Sequence, residues 1–437
     1  MKNNRLRVLI IAHELSPING SECAEGWNIV IRLAKFHDVT VLYASGSHGN
    51  YSSYLKHVND YLSENGPING LRFVNIDQPA ITKFIVSLNQ PFRKFLPATG
   101  LPVLYFLGYR FWQKAAFAWA REFHKKEKFD VVHQLTQTAF REPGYCWKLN
   151  IPFFWGPTGG IKSFPGDFNK LLSTKSRVLE KIRTFSNYYQ YNFSRRVVKA
   201  NKTAAVIYSF SNADADLLSK RATGKIKLMM DAGTINHPGI INRAVTRPAI
   251  IKGIWCGQLI ERKAAGLLLK AIALSKQTKE EITFQIIGSG PQEAELKEEA
   301  KALGLNNIEW IRNVDRAGVF KMMSEADFFI HTSLREGTPH VIMEALSTCL
   351  PVICHDAFGM GIAINDDCGI KVPLISPADS IRGFHDAMTR LVSDKKLLEA
   401  LRTGAFNRSL EITWDKMAET IANDYLAVIA KSPGNVG

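Results

Sequence analysis

Short, continuous apolar runs alternate with helical stretches twice over, and this alternation constrains the fold more than any other feature. Residues 7–12 form such a run, as a strand buried on both faces of a parallel sheet requires. A loop follows it, then a helical pattern through Trp27, Val30 and Leu33, and a second run at 39–43. Further strand-like runs lie at 71–76, 129–133, 152–155 and 204–208. An irregular stretch, 234–248, reads as a linker. The series then restarts with runs at 250–256, 283–287, 308–311, 328–332 and 351–354, helical patterns at 264–275 and 293–303, and a last helix over 414–430. Strands alternating with helices imply parallel sheets. Two such series imply an α/β protein of two doubly wound, Rossmann-like domains, 1–235 and 248–413, facing each other with a ligand in the cleft between them. With 437 residues, 46% of them hydrophobic, the chain can build two cores.

The formal net charge is +15 and the pI is near 9.4. That balance points to an anionic partner: nucleic acid, a membrane surface or a phosphorylated substrate. The six cysteines are scattered without a CxxC pair, which suggests neither a zinc site nor a disulfide framework. The start runs straight into a short strand rather than a signal-peptide core. The longest apolar approach, 101–120, is interrupted by Arg110, Gln113 and Lys114, so no spanning helix is expected. Residues 83–128 and 162–202 interleave aromatic and aliphatic residues with Lys and Arg. They suit an interfacial position on an anionic membrane, or they are the solvated basic faces of long helices.

The chemistry concentrates in Glu336-Gly337-Thr338-Pro339-His340-Val341-Ile342-Met343-Glu344. Thr338 reads as an N-cap and Pro339 as the first helical residue, so Glu336 stands at a strand end and Glu344 one turn into a helix. Strand, tight turn and helix N-terminus form the place where open α/β sheets bind ligands. The helix end favours a phosphate, and each carboxylate can accept sugar hydroxyls. A phosphate-plus-polyol ligand fits. His133 ends a strand on the ligand-facing side of the first sheet, where a catalytic and a structural role are both open. The first loop offers Gly20 but not a full GxGxxG, so it argues little for a dinucleotide. Residues 156–160 and 358–361 read as glycine turns. Asp214-Ala215-Asp216 resembles a metal signature but reads better as a capped helix start.

Together these pieces resemble the retaining GT-B glycosyltransferases of family 4, the glycosyl transferases of group 1. The resemblance rests on Glu336-x7-Glu344, on the block from Ala326-Asp327 through His331-Thr332-Ser333-Leu334-Arg335, on Gly288-Ser289-Gly290-Pro291, on Asp130-Val131-Val132-His133 and on Trp414-Asp415. It implies a C-terminal helix, 414–437, that crosses back to an acceptor-binding N-terminal domain, and a nucleotide-sugar domain over 248–413. It implies no metal and no cofactor, since a basic side chain and a helix N-terminus neutralise the diphosphate. Lys263 stands at the family's phosphate lysine. Gln258 stands where an arginine is usual, and Arg262 or Arg141 could compensate. The resemblance also implies that Glu344 takes the ribose hydroxyls and that Glu336 takes the donor-sugar hydroxyls. Gly337, Thr338, Pro339 and His340 would line the sugar's path, and Val341 and Gly288 would belong to the donor-binding residues. Arg312, Asn313 and Val314 would lie by the base, His133 would approach the sugar, and Gly20 and Ser21 would edge the acceptor or diphosphate.

The expected function is transfer of a hexose, from UDP-glucose or a related donor, to a lipid-linked or glycan acceptor. The enzyme would be cytoplasmic and peripheral on the inner face of the cell membrane. The alternatives are another enzyme on the same fold, a weakly active protein that binds nucleotide sugar, and a basic nucleic-acid-binding or membrane-binding protein. No nucleic-acid-binding motif accompanies the charge.

Overall fold

The computed structural model describes residues 5–20, 22–46, 53–94, 100–235 and 250–431. Two all-parallel sheets carry the fold, as the alternation of runs implies. The first has seven strands: β1 (Arg7–Ile11), β2 (Asp38–Ala44), β3 (Leu71–Ile76), β4 (Val131–Gln134), β5 (Phe153–Thr158), β6 (Ala204–Ser209) and β7 (Lys225–Leu228). Their order is β3-β2-β1-β4-β5-β6-β7. The second has six: β8 (Ile251–Cys256), β9 (Ile282–Ile287), β10 (Ile308–Ile311), β11 (Phe328–His331), β12 (Val352–His355) and β13 (Gly369–Val372), in the order β10-β9-β8-β11-β12-β13.

In each sheet the strand order reverses once, between β1 and β4 and again between β8 and β11. β1 pairs with β4 from Val8↔Val131 to Ile11↔Gln134, and β8 pairs with β11 at Gly253↔Phe328 and Ile254↔Phe329. At such a reversal the two crossover connections leave in opposite directions and open a crevice at the carboxyl ends of the strands. These two places position everything that follows. Around the second, Trp255, Phe284, Ile286, Phe328, Ile330 and Ile353 are buried together with the helices that cover the sheet.

The first compact unit comprises residues 1–161, 187–231 and 414–437; the second comprises 162–186 and 232–413. Within the first unit the helix Trp414–Ile429 packs on the helix Glu22–Leu33, and Asp415 accepts from Arg32 Nε (2.9 Å) and Lys35 Nζ (2.8 Å). The segment 162–186 belongs to the second unit. Phe164, Phe168 and Leu172 bury against Ala264, Leu267 and Leu334, and Glu180 takes Arg335 in a two-pronged ion pair at 2.5 and 2.7 Å. A paired arginine and three buried side chains decide its membership.

Two local readings are corrected. β5 continues through Gly156, Pro157 and Thr158 instead of turning, because Thr158 still registers with Ser209 of β6. Residues Phe358–Ala363 form a short helix rather than a turn. In the stretch 234–248, Thr234 bridges to Thr413, while 236–249 lie outside the described residues.

Candidate functional site

The loops after β8 and β11 are stitched together before any charge is considered. Trp255 Nε1 donates to Thr332 Oγ1 (3.0 Å), and that hydroxyl donates to the Lys263 carbonyl (2.7 Å). The Leu334 amide donates to the Arg262 carbonyl (2.9 Å). Ala264 closes the first loop with φ +49°, a left-handed conformation that a residue with a Cβ adopts only when its surroundings enforce it. The result fixes two cations on one anion. Arg262 Nη1 and Lys263 Nζ each lie 2.5 Å from Glu336 Oε1, and Ser333 Oγ donates to the same atom at 2.8 Å. Burial opposes ionisation of Glu336, but Arg262 and Lys263 overcome it and pull its carboxyl down to about 2. Lys263 and Glu336, expected to share the diphosphate and the sugar, are thus in direct contact. Gln258, on the same loop, has an exposed side chain.

Gly288 shows why a glycine stands at the end of β9. Its φ is +145°, and a Cβ there would lie 1.9 Å from the Gly257 carbonyl oxygen. A Cβ on Gly290 would lie 2.3 Å from that of Leu259. Only glycines allow the β9 loop to press its backbone onto the loop carrying Gln258. The Gly288 amide donates to the Ile311 carbonyl (2.9 Å), which brings Arg312, Asn313 and Val314 alongside. Arg312 Nε pairs with Glu293 at 2.6 Å, and Asn313 takes φ +55°, which asparagine tolerates.

The helix after β11 is His340–Ser347, with Pro339 at the N-cap and no side-chain capping bond. This corrects the expected start: Pro339 precedes the first turn, and Thr338 is buried before it. Gly337 meets Gly359, where a Cβ would lie 2.4 Å from the Gly337 carbonyl oxygen. Ile342, Met343, Ala345 and Leu346 bury, while Val341 is only half-buried. Glu344, one turn in, accepts from Arg316 Nε (2.9 Å). Burial raises the Glu344 carboxyl above its usual range, and Arg316 offsets this only in part. Burial and then Arg316 lower His340. Arg316 is a residue the sequence reading missed. It opens a helix, Arg316–Glu325, whose polarity gives no hint that it reaches back to Glu344.

The first domain holds the rest. His133 is fully buried: its Nδ1 meets Tyr425 Oη (2.6 Å) and its Nε2 the Gly156 carbonyl (2.7 Å). Burial lowers it to about 4 despite the bond to Gly156. Both ring nitrogens are thus engaged inside the domain. Arg141 donates to Asn187 Oδ1 (2.7 Å) and lies over Phe106 (5.1 Å from the ring centre). Gly20 is exposed, and Ser21 lies outside the described residues. Asp214 is buried in a helix, Asn212–Ser219, capped by Ser211, and accepts from the Gly160 amide (2.7 Å), so it has a structural role. Among the described residues no three His, Cys, Asp or Glu side chains are placed to hold a metal ion.

Residues 252–408 match the family model described as Glycosyl transferases group 1. The phosphatidylinositol N-acetylglucosaminyltransferase GPI3 subunit of Saccharomyces cerevisiae is 21% identical over 57% of this chain and 50% of its own length. The curated relatives matched are covered over 24% to 50% of their lengths. Among solved structures, a glycosyltransferase from Rickettsia africae superposes with a TM-score of 0.60 at 14% identity, over 98% of this chain and 100% of that one. An Anabaena protein, Alr3699/HepE, in complex with UDP and glucose, does so with a TM-score of 0.55 at 15% identity over 97% and 100%. The structural similarities establish a GT-B fold of two Rossmann-like parallel-sheet domains. The family match lies wholly within the C-terminal domain and is a similarity of that domain alone.

Proposed function

From a C-terminal domain of the glycosyl transferases group 1 type, we propose that this chain is a retaining, metal-independent glycosyltransferase of family 4. It takes a hexose from a nucleotide-diphosphate sugar, with UDP-glucose or a close relative as donor, and passes it to a glycan or lipid-linked acceptor. The observation that carries this reading is the Arg262–Glu336–Lys263 cluster at the strand-order reversal of the second sheet. A leaving nucleoside diphosphate gathers negative charge, and preorganised cations at its oxygen lower the barrier. Lys263 and Arg262 supply that charge without a metal. Glu336, anionic and fixed by Ser333, accepts from the donor sugar's hydroxyls as the cations turn to phosphate. Glu344 accepts from the ribose in exchange for Arg316. The base lies by Asn313 and Val314, bounded by the Gly288 turn.

Calorimetric titration with UDP, in EDTA, tests this. UDP should bind, and Glu344→Ala should weaken it by roughly tenfold or more, the scale of a lost charge-assisted hydrogen bond pair. Unchanged affinity in the variant would remove Glu344 from the ribose, and UDP binding that depends on added manganese would remove the metal-free chemistry.

The reading extends to a cytoplasmic protein held peripherally on anionic lipid. No described helix is long and apolar enough to cross a membrane. No Asp or Glu occurs between Asp77 and Glu122, while Lys83, Arg93, Lys94, Arg110, Lys114 and Arg121 do. Ile81, Phe84, Leu88 and Val103 of this region are exposed. Apolar side chains set among cations suit an anionic bilayer surface. In flotation assays the protein should rise with vesicles containing about one-third phosphatidylglycerol and stay behind with neutral ones, losing its attachment in high salt. Equal partition onto both would contradict an electrostatic contact.

A further inference from the structure

The first domain has its own crevice, where the strand order reverses between β1 and β4, and the donor chemistry leaves it unused. β1 runs into a loop carrying Glu14, and the helix Glu22–Leu33 begins beyond it with Glu22 and Glu25 in its first turn. Gly26 sits so close that a Cβ would lie 2.5 Å from the Glu14 carbonyl oxygen and 3.1 Å from Thr136 Cγ2. That approach seats the helix's first turn over the ends of both strands. Glu22 Oε1 accepts from the Thr138 amide (3.1 Å) and hydroxyl (2.7 Å). Glu14 Oε1 meets His13 Nδ1 at 3.0 Å and Gln137 Nε2 at 3.4 Å.

Glu25 differs from both. It is 1% exposed, and neither of its carboxyl oxygens has a hydrogen-bond partner. The charges that bear on it are those of Asp231, Glu22 and Glu14, all of its own sign. A buried carboxyl without a hydrogen-bond partner, acted on only by charges of its own sign, is a costly arrangement. Burial, then Glu14, raises Glu22 to about 7; burial, then Asp231, Glu22 and Glu14, raises Glu25 well above the carboxylate range.

A helix N-terminus at the end of a parallel strand ordinarily welcomes an anion. Here the carboxyls on the helix's first turn and on the preceding loop offer an anion little, and each proton they lose leaves a like charge that only a positive partner relieves. The partner that relieves them is a cation. A bare metal ion is disfavoured, since among the described residues no three such groups are placed to hold one. The fitting partner spreads several donors around one positive charge.

We propose that this crevice binds a protonated amino sugar, its ammonium group taken by Glu25 and Glu22 while Glu14 accepts from a neighbouring hydroxyl. The proposal rests on reading the first domain as the acceptor side, and it names the class of acceptor: a glycan whose receiving end is a hexosamine with a free amine. Charge-assisted hydrogen bonds are the strong ones, so the amine, not the ring, sets the specificity.

Three probes test it by NMR titration of the full chain at pH 7: methyl glucosaminide, methyl N-acetylglucosaminide and methyl glucoside. The glucosaminide should bind about tenfold more tightly than either neutral probe, the effect of one hydrogen bond to a charged group. The double variant E22Q/E25Q should lose that preference. Equal or tighter binding of a neutral probe, binding of none of the three, or a preference that survives in E22Q/E25Q would each overturn the proposal. The probe comparison on the unsubstituted protein decides the matter even if the variant does not fold. UDP titrated into the same sample separates the two readings: UDP binding without an amine preference defeats this inference alone, whereas absence of UDP binding defeats the donor assignment.

Discussion

Lys263→Ala should reduce turnover roughly 10²–10³-fold, the scale observed when one transition-state donor is removed from an enzyme. The expectation follows from how little freedom this side chain has. Its carbonyl is held by Thr332, the residue after it is locked left-handed, and its ammonium group is largely screened from water on Glu336. Once it has turned from Glu336 to the bound donor, a cation tethered in this way has little further to move when the leaving phosphate gathers charge. Arg262 shares the same carboxylate, but its side chain is about three times as exposed, 35% against 12%, so water weakens the field it can offer. Gln258, on the same loop, brings no charge at all. Donor hydrolysis, followed as UDP released from UDP-glucose in water, measures the effect without a known acceptor. Affinity for UDP should fall less than turnover, because the charge grows as the bond breaks. Turnover within about threefold of the parent, a small fraction of the expected loss, would transfer the role to Arg262.

Gly288→Ala should be among the most damaging single methyls in the second domain. The left-handed backbone alone costs an alanine about 1–3 kcal/mol. The contact at 1.9 Å with the Gly257 carbonyl oxygen forces a backbone shift worth a further 1–3 kcal/mol or so. In a domain of this size each kcal/mol lowers the melting temperature by about 2–4 °C, so a fall of roughly 5–15 °C is expected. Because the strained partner belongs to the loop carrying Gln258 and Lys263, donor binding should weaken in the same variant. A melting temperature within about 2 °C of the parent, less than a single kcal/mol would produce, would mean that the two loops part easily and that the glycine serves something other than close approach.

The sheets were legible because a parallel strand buried on both faces must be apolar throughout, and 7–12, 250–256 and 328–332 are. β7 was not, since Lys225-Ile226-Lys227-Leu228 alternates charge with apolarity at the sheet's edge. The donor loops were legible as spacing: Glu336 and Glu344 stand eight residues apart across a strand end and a helix start. What spacing cannot convey is which partner each side chain takes. His133 looked poised for chemistry because it ends a strand, yet Tyr425, 292 residues onward, claims it. Arg316 looked like helix surface, yet it holds Glu344. The carboxyls of the first crevice escaped notice for the same reason: Glu14, Glu22, Glu25 and Asp231 are ordinary residues in sequence and become one group only when Gly26 lets a helix lie against a loop.

That bond between His133 and Tyr425 also sets a timetable. A ribosome delivers the first sheet early, but residues 414–429, which supply Tyr425 and Asp415 to the first domain, arrive only after the whole second domain has been made. Domains commonly fold in the order of their synthesis. Here the first to emerge lacks its last helix, and so the partners of its buried histidine and of its opening helix, until the second has been synthesised. The first domain is thus completed last, and the span of chain between its two parts is the interval during which it depends on not meeting a neighbour.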